Sequence, residues 1–418
     1  MKRRTFLALP RALASLLPVV ALRSPFRSLL RPLLPLVSLA SLPPLMRAQR
    51  ALAKEPDYPP VTAGRTLVFP RDFGAHPQYR TEWWYATGWL FAADRTALGF
   101  QVTFFRSRPA LDEANPSRFA PRQLLFANVA LSDPQAGKLQ HDQRSARSGF
   151  GLAQASEADT SVQIGAWSFV RDTHNGAYKV DIDAADFVME FAMQPTQRVL
   201  LNGAQGYSRK GPLASEASYY YSEPALHVSG MLTRNRTSGG KAEPVQGIAW
   251  LDHEWSSAYL ADEAIGWDWI GLNFDDGAAL MAFQMRDKAG RKFWAGGTLR
   301  RADGSSHELA PADVVFTPLR WWRSPHTDAR YPVAMRVDAG DLHLTLTPLF
   351  DDQEVDSRAS TGAVYWEGAV TVTAATPATQ SGSASAAPRA TATASNEAAK
   401  PLARGYLELT GYVARLRL

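Results

Sequence analysis

Two short stretches concentrate the side chains that can move protons. Residues 76–88 hold His76, Arg80, Glu82, Trp83, Trp84 and Tyr85, and residues 247–257 hold Trp250, Asp252, His253, Glu254 and Trp255, with Trp267, Asp268 and Trp269 close behind. Four acids, Glu82, Asp252, Glu254 and Asp268, stand next to or two residues from a tryptophan. A carboxyl desolvated by an apolar wall keeps its proton to higher pH and can act as a general acid. Aromatic faces can then stabilise a developing cation. The candidate catalytic set is therefore His253 with Asp252, Glu254, Asp268 and Glu82. The candidate ligand contacts are His76, Trp84, Tyr85, Trp255, Trp267 and Trp269. Each also has a plain structural use, as an ion pair, a strand-end hydrogen bond or core packing.

Side-chain direction sorts these groups. If 248–256 is an extended strand, His253 and Trp255 share one face and Asp252 and Glu254 the other. Trp267 and Trp269 likewise point away from Asp268. Only one face of each strand can line a barrel interior, and three adjacent residues that alternate cannot readily hold one ion, so no metal is expected at Asp252-His253-Glu254. There is no G-x-S-x-G elbow, phosphate loop, Rossmann fingerprint or H-E-x-x-H helix, and no cofactor is expected. The absence of Cys removes disulfides, thiolate metal sites and Cys nucleophiles.

The elements that must position these residues read as strands. From residue 66 onward, runs rich in Val, Phe, Trp and Tyr are punctuated by Gly, Asp, Asn and Pro, without sustained helical periodicity. Segments 98–106, 123–131, 161–170, 187–193, 226–232, 278–286, 342–346, 363–373 and 406–416 are predicted strands. With 418 residues, 45% hydrophobic content and 12 Trp, the chain can bury more than one core.

Internal similarity supports a duplication. Trp84, Gly88, Phe91, Phe100 and Gln101 recur at the same mutual spacing as Trp267, Gly271, Phe274, Phe283 and Gln284. Asp183-Ala-Ala-Asp186 matches Asp338-Ala-Gly-Asp341, and Leu226 to Gly230 is matched to Leu407 to Gly411. The expectation is an all-β protein of two tandem antiparallel barrels, residues 62–240 and 245–418. A tract of Ala, Thr, Ser and Pro, residues 374–400, is expected to form a disordered insertion between two strands of the second.

The run E-W-W-Y-x-T-G-x-L at 82–90, Y-Y-Y-S at 219–222, D-H-E-W at 252–255, Y-W-E-G-A-V at 365–370 and Y-L-E-L-T-G-Y at 406–412 resemble, in order, the lipocalin-like family of carotenoid 1,2-hydratases and related secreted proteins found with ABC-transporter permeases and often labelled predicted hydrolases. The resemblance implies two lipocalin-like β domains packed together. It carries over His253-x-Trp255, which matches a His-x-Trp pair of the hydratases. Those enzymes add water across an isoprenoid double bond. They also place a Tyr-x-Asp on a following strand, near which this chain has Gln284-Met285-Arg286.

The leader reads as an address. Lys2-Arg3-Arg4 precedes an apolar stretch over 7–22, the pattern of a twin-arginine export signal, with cleavage expected between Ala21 and Ala53. A second apolar run, 29–45, is broken by Arg31 and prolines and falls short of the ~20 residues of a spanning helix, so no span is expected in the mature protein. Without the nine basic residues of 1–50, the formal charge of +5 becomes 36 basic against 40 acidic, about −4, which argues against nucleic acid as a partner. The expected location is the periplasm. Two functions follow: a binding protein for an apolar or amphiphilic, lipid- or isoprenoid-like ligand, with an ABC-transporter permease as a partner, or a hydratase-like lyase or hydrolase working through an acid and His253. A protein-binding envelope component without a small ligand is a third.

Overall fold

The aromatic and β-branched runs fold as strands throughout. The structure, a computed structural model, describes residues 57–111, 115–375 and 400–416. Among them there is no α-helix, only two short 3-10 turns, Arg71–Phe73 and Arg236–Ser238. No helix of the described residues is long and apolar enough to cross a membrane. The expected export leader and nearly all of the expected insertion, 376–399, lie outside the described residues.

The first sheet contains β1 (Thr81–Ala92), β2 (Ala97–Ser107), β3 (Leu124–Ser132), β4 (Gln140–Arg147), β5 (Ala153–Ala155), β6 (Ser161–Ile164), β7 (Trp167–Arg171), β8 (Tyr178–Asp183), β9 (Val188–Gln194), β10 (Leu200–Leu201), β11 (Tyr207–Arg209), β12 (Ala217–Thr233) and β13 (Ala242–Ala258). The second contains β14 (Ala264–Phe274), β15 (Ala279–Asp287), β16 (Lys292–Arg300), β17 (Ser306–Leu309), β18 (Val314–Arg323), β19 (Arg330–Ala339), β20 (Leu342–Pro348), β21 (Glu354–Ser357), β22 (Ala363–Ala374) and β23 (Ala403–Leu409). All pairings are antiparallel. The first sheet curls into a nearly closed barrel and the second into a half-barrel, the arrangement of tandem lipocalin-like units.

Strand order shows the duplication directly. The first sheet runs β4-β3-β2-β1-β13-β12-β9-β8-β7 before its last two short strands, and the second runs β17-β16-β15-β14-β23-β22-β20-β19-β18. Each strand of one series has its counterpart in the other, and in both the final strand of the unit closes against the first hairpin.

Several sequence expectations change. The boundary at 240–245 falls ahead of β13, which pairs with β1 on one side and β12 on the other and so completes the first sheet. The sheets divide at 259–263. Next, Leu226 to Gly230 lies on β12, whose counterpart is β22, so its match to residues of and after β23 is not a structural equivalence. Finally, the matched tryptophans mark the same hairpin but opposite faces: Trp84 and Phe100 sit inside the first barrel, whereas Trp267 and Phe283 lie on the outer face of the second sheet. An odd slip in register reverses every side chain. The Asp183 and Asp338 matches do occupy equivalent hairpins, β8–β9 and β19–β20. The predicted strand 161–170 is split by a turn at Gly165, where φ is +58°, a left-handed conformation that suits glycine.

Each sheet has its own apolar interior, and a third apolar layer lies between them. It includes Tyr85, Trp89, Tyr220 and Trp250 from the first sheet and Trp269, Met281, Phe283 and Tyr406 from the second. Strands β1, β2 and β13 are therefore buried on both faces, which is why they read as nearly continuous apolar runs.

Candidate functional site: a carboxyl-lined cavity between the sheets

Strand β13 divides the candidate residues into two groups that sit back to back. Leu251, His253 and Trp255 face into the first barrel, while Trp250, Asp252 and Glu254 face the second sheet. On the paired strand β1, Glu82 and Trp84 point inward and Trp83 and Tyr85 outward. The expected alternation holds.

The inward group is a closed ionic network around Glu82, which is fully buried. Its Oε1 lies 2.8 Å from His76 Nδ1 and 2.9 Å from His253 Nε2, and its Oε2 accepts from Arg106 Nε at 2.7 Å. His76 reaches Asp72 through Nε2 at 3.0 Å, and His253 Nδ1 lies 3.0 Å from the Tyr221 hydroxyl. Burial opposes charge on His76, but Glu82 and Asp72 outweigh it and raise its pKa. Burial likewise opposes ionisation of Glu82, yet Arg106 and the two histidines hold its carboxyl well below the usual range. Burial lowers the pKa of His253, which is then neutral, donating from Nε2 to Glu82 and accepting at Nδ1 from Tyr221. Trp255 stacks on His76 at 3.7 Å and Trp84 on His253 at 4.7 Å between ring centres. The donor atoms of His76, Glu82 and His253 lie within 4.8 Å of one another, a spacing a cation could bridge. Those atoms are already hydrogen-bonded to one another, and Arg106 and a charged His76 balance Glu82 and Asp72, so the set forms a closed ionic knot.

Asp268 belongs to neither group. It faces into the second barrel, where it accepts from Gln284 Nε2 at 2.8 Å, Arg286 Nε at 2.9 Å and the Tyr412 hydroxyl at 2.9 Å. Gln284 and Arg286, standing near the expected Tyr-x-Asp, are thus partners of a buried acid. The pair Asp268–Arg286 repeats the role of Glu82–Arg106 in the first barrel.

The outward group lines a narrow cavity between the sheets, with about 60 Å³ open to the centre of a water molecule and about 630 Å³ of empty space once the solvent at its mouth is included. Its walls are Trp83, Tyr85, Phe105, Tyr220, Tyr259, Trp267, Trp269, Phe283, Met285 and Tyr365, with Gln101 and Thr103, and its ionisable groups are Asp252, Glu254, Glu408 and Lys210. Asp252 accepts from Ser222 Oγ at 2.5 Å, Trp250 Nε1 at 2.6 Å and the Tyr220 hydroxyl at 2.6 Å. Trp269 Nε1 in turn donates to the Tyr220 oxygen at 3.0 Å. Burial pushes the Asp252 carboxyl up to about 7 in spite of those three donors. Glu408 is held by Trp267 Nε1 at 2.8 Å, and burial pushes it too up to about 7, with Asp252 and Glu254 adding repulsion. Glu254 is bound by Ser218 and by Lys210 Nζ at 2.9 Å. Lys210 lies 4.2 Å from the Phe283 ring centre and 4.7 Å from that of Tyr220. An aromatic box with acids that keep their protons near neutrality can protonate a neutral, apolar guest.

Of the candidates read from sequence, Asp252, Glu254, Tyr85, Trp267 and Trp269 meet in this cavity. His253, Glu82, His76, Trp84 and Trp255 are on the far side of the sheet, and Asp268 is inside the second barrel. Tyr220, Lys210, Tyr365 and Glu408 were not singled out, although Tyr220, Tyr365 and Glu408 sit inside the motifs at 219–222, 365–370 and 406–412. Applying strand alternation to those motifs would have grouped them; nothing in the sequence places Lys210 here.

The sequence matches the AttH-like family over residues 60–412. An AttH protein from Nitrosomonas europaea is 50% identical, with 85% of this chain and 100% of that chain covered and a TM-score of 0.74. Kievitone hydratase from Nectria haematococca shares the fold at 13% identity, with 86% of this chain and 98% of that chain covered and a TM-score of 0.59. No curated protein matches the sequence. The match over most of the chain, together with the tandem sheets, shows that this protein belongs to the AttH-like family.

Proposed function

We propose that the cavity between the sheets binds an apolar or amphiphilic, isoprenoid-like molecule and hydrates one of its double bonds. The observation that carries this reading is the pair of carboxyls, Asp252 and Glu408, facing an aromatic cavity with pKa values raised to about 7. A carboxylic acid there gives its proton to an alkene carbon, the aromatic walls stabilise the resulting tertiary cation, and water forms the C–O bond while its proton returns to the carboxylate. Asp252 and Glu408 are the candidate catalytic residues, and Trp267, Trp269, Tyr85 and Tyr220 the ligand platform. The likeness of fold to a hydratase agrees with the reading without fixing it.

A second reading, carriage of such a ligand without turnover, draws on Asp252 itself, whose two oxygens already accept three hydrogen bonds. Incubation with farnesol in oxygen-18 water separates the two. Hydration gives a labelled product heavier by one water, whereas carriage gives tryptophan quenching by farnesol and no labelled product. Neither quenching nor product sinks both. Export to the periplasm and partnership with an ABC-transporter permease belong to the same proposal and rest on the leader and on the family resemblance.

A further inference from the structure

Behind the cavity, Glu367 is 2% exposed, and no hydrogen bond of full geometry reaches either of its oxygens, the Tyr85 hydroxyl being the donor that acts on it. An ionised carboxylate so placed would be strongly disfavoured, because little replaces its lost hydration. It lies directly across from Glu408 on the neighbouring antiparallel strand, and Glu408 in turn lies across from Trp269. Cross-strand neighbours on one face stand side by side, roughly 5 Å apart at Cβ. Glu408 is thus the middle member of a row, with the apolar platform on one hand and a hidden second carboxyl on the other.

The surroundings offer the pair no positive charge. Facing it are Tyr85 from β1, Asp252 and Glu254 from β13, Tyr259 just beyond β13, Tyr365 from β22 and Tyr406 from β23. Tyr85 and Tyr406 are themselves buried. Lys210, the one cation lining the cavity, is committed to Glu254.

We infer that Glu367 and Glu408 act as one proton-holding dyad, in which Glu408 is the acid that meets the ligand and Glu367 is a positioning residue that the charge of ionised Glu408 keeps protonated, holding a second proton beside it. Two carboxyls packed together in a dry site cannot both ionise, so their protons leave in two widely separated steps that belong to the pair. Burial and the proximity of Glu408 raise Glu367 well above the ordinary range, in keeping with a second step far from neutrality. The role of the ligand rests on the hydratase reading; the dyad does not.

Infrared titration of the full chain labelled with carbon-13 glutamate tests the dyad, since the label separates glutamate carbonyl bands from that of Asp252. The wild type should lose one protonated-glutamate band near pH 7 and keep another well above it. Glu223, which burial inside the first barrel also pushes to about 7, is subtracted with an E223Q background. In E367Q the persistent band should vanish, and in E408Q the remaining band should titrate at least one pH unit lower than in the wild type, because the charge of Glu408 is gone; a persistent band in E367Q or an unmoved one in E408Q overturns the inference. Should E367Q fail to fold, the E408Q titration decides alone. A lowered band in E408Q with farnesol hydration as fast as in the wild type leaves the dyad standing and removes Glu408 as the acid of the hydratase reading. An unshifted titration in a chain that hydrates farnesol sinks the dyad alone.

Discussion

Asp252 and His253 are neighbours in sequence and lie on opposite sides of one strand, and their chemistry diverges for that reason. Because burial raises the folded-state pKa of Asp252 to about 7, the unfolded chain releases this proton first. Its contribution to stability is full below about pH 4 and is lost as pH rises towards 7, a change on the order of 4 kcal/mol at most. D252N should therefore flatten the fall of urea stability between pH 4 and 7 and, if the hydratase reading holds, reduce farnesol hydration at least a hundredfold. Asp72 behaves in the opposite sense: burial opposes its ionisation, but His76 and the Val68 amide bring it to about 2, so its stabilisation is present above about pH 4 and is lost as pH falls from there towards 2. Within the same knot, E82Q leaves Arg106 buried beside a neutral partner and should cost roughly 3–5 kcal/mol. H253A should lower the melting temperature while the folded fraction still quenches with farnesol. Loss of quenching at an unchanged melting temperature would return His253 to the ligand site.

At the scale of elements, two-sided strands hold the site. Strands β1 and β13 each carry an ionic knot on one face and cavity wall on the other, so a change on either face is transmitted through a single backbone. Strand β2 meets the second sheet at Gly99, where an added Cβ would lie 2.5 Å from the Tyr406 hydroxyl and 2.8 Å from the Ala369 Cβ. G99V should push β22 and β23 away from β2, cost roughly 1–3 kcal/mol through overpacking, and weaken farnesol quenching, because β23 carries Glu408. If G99V is as stable as the wild type and binds equally well, the close approach of the sheets is not what shapes the cavity.

For the whole molecule, the apolar layer between the sheets makes the two units one cooperative body. Trp89 Nε1 donates across the interface to the Gly405 carbonyl at 3.0 Å, and Asn273 Nδ2 to the Ala249 carbonyl at 3.2 Å, inside a contact built from aromatic rings. An interface this apolar favours joint unfolding over independent domains. Calorimetry should show one transition for the pair of sheets. A chain ending at 240 should not fold, because it lacks β13, and one ending at 260 should aggregate through the bared outer face of β1, β2 and β13. Two resolved transitions, or a soluble folded fragment ending at 240, would contradict this.

The sequence by itself determined the all-β class, the repeated unit and the alternation that separates His253 from Asp252 and Glu254, since a strand's two-residue period is local and written residue by residue. It also marked the hairpins at 184–187 and 340–341 as equivalent. It did not determine the phase of the repeat: Trp84 and Trp267 match as letters and face opposite ways, because a match displaced by an odd number of residues changes face on a strand of period two. Nor did it determine which face carries the candidate site. Both faces of β1 and β13 are buried, so apolar pattern alone cannot tell a barrel interior from an interface between sheets. Only the docking of the second sheet brings Glu408, Trp267 and Trp269 up to Asp252, and only its exclusion of water gives those carboxyls their raised pKa.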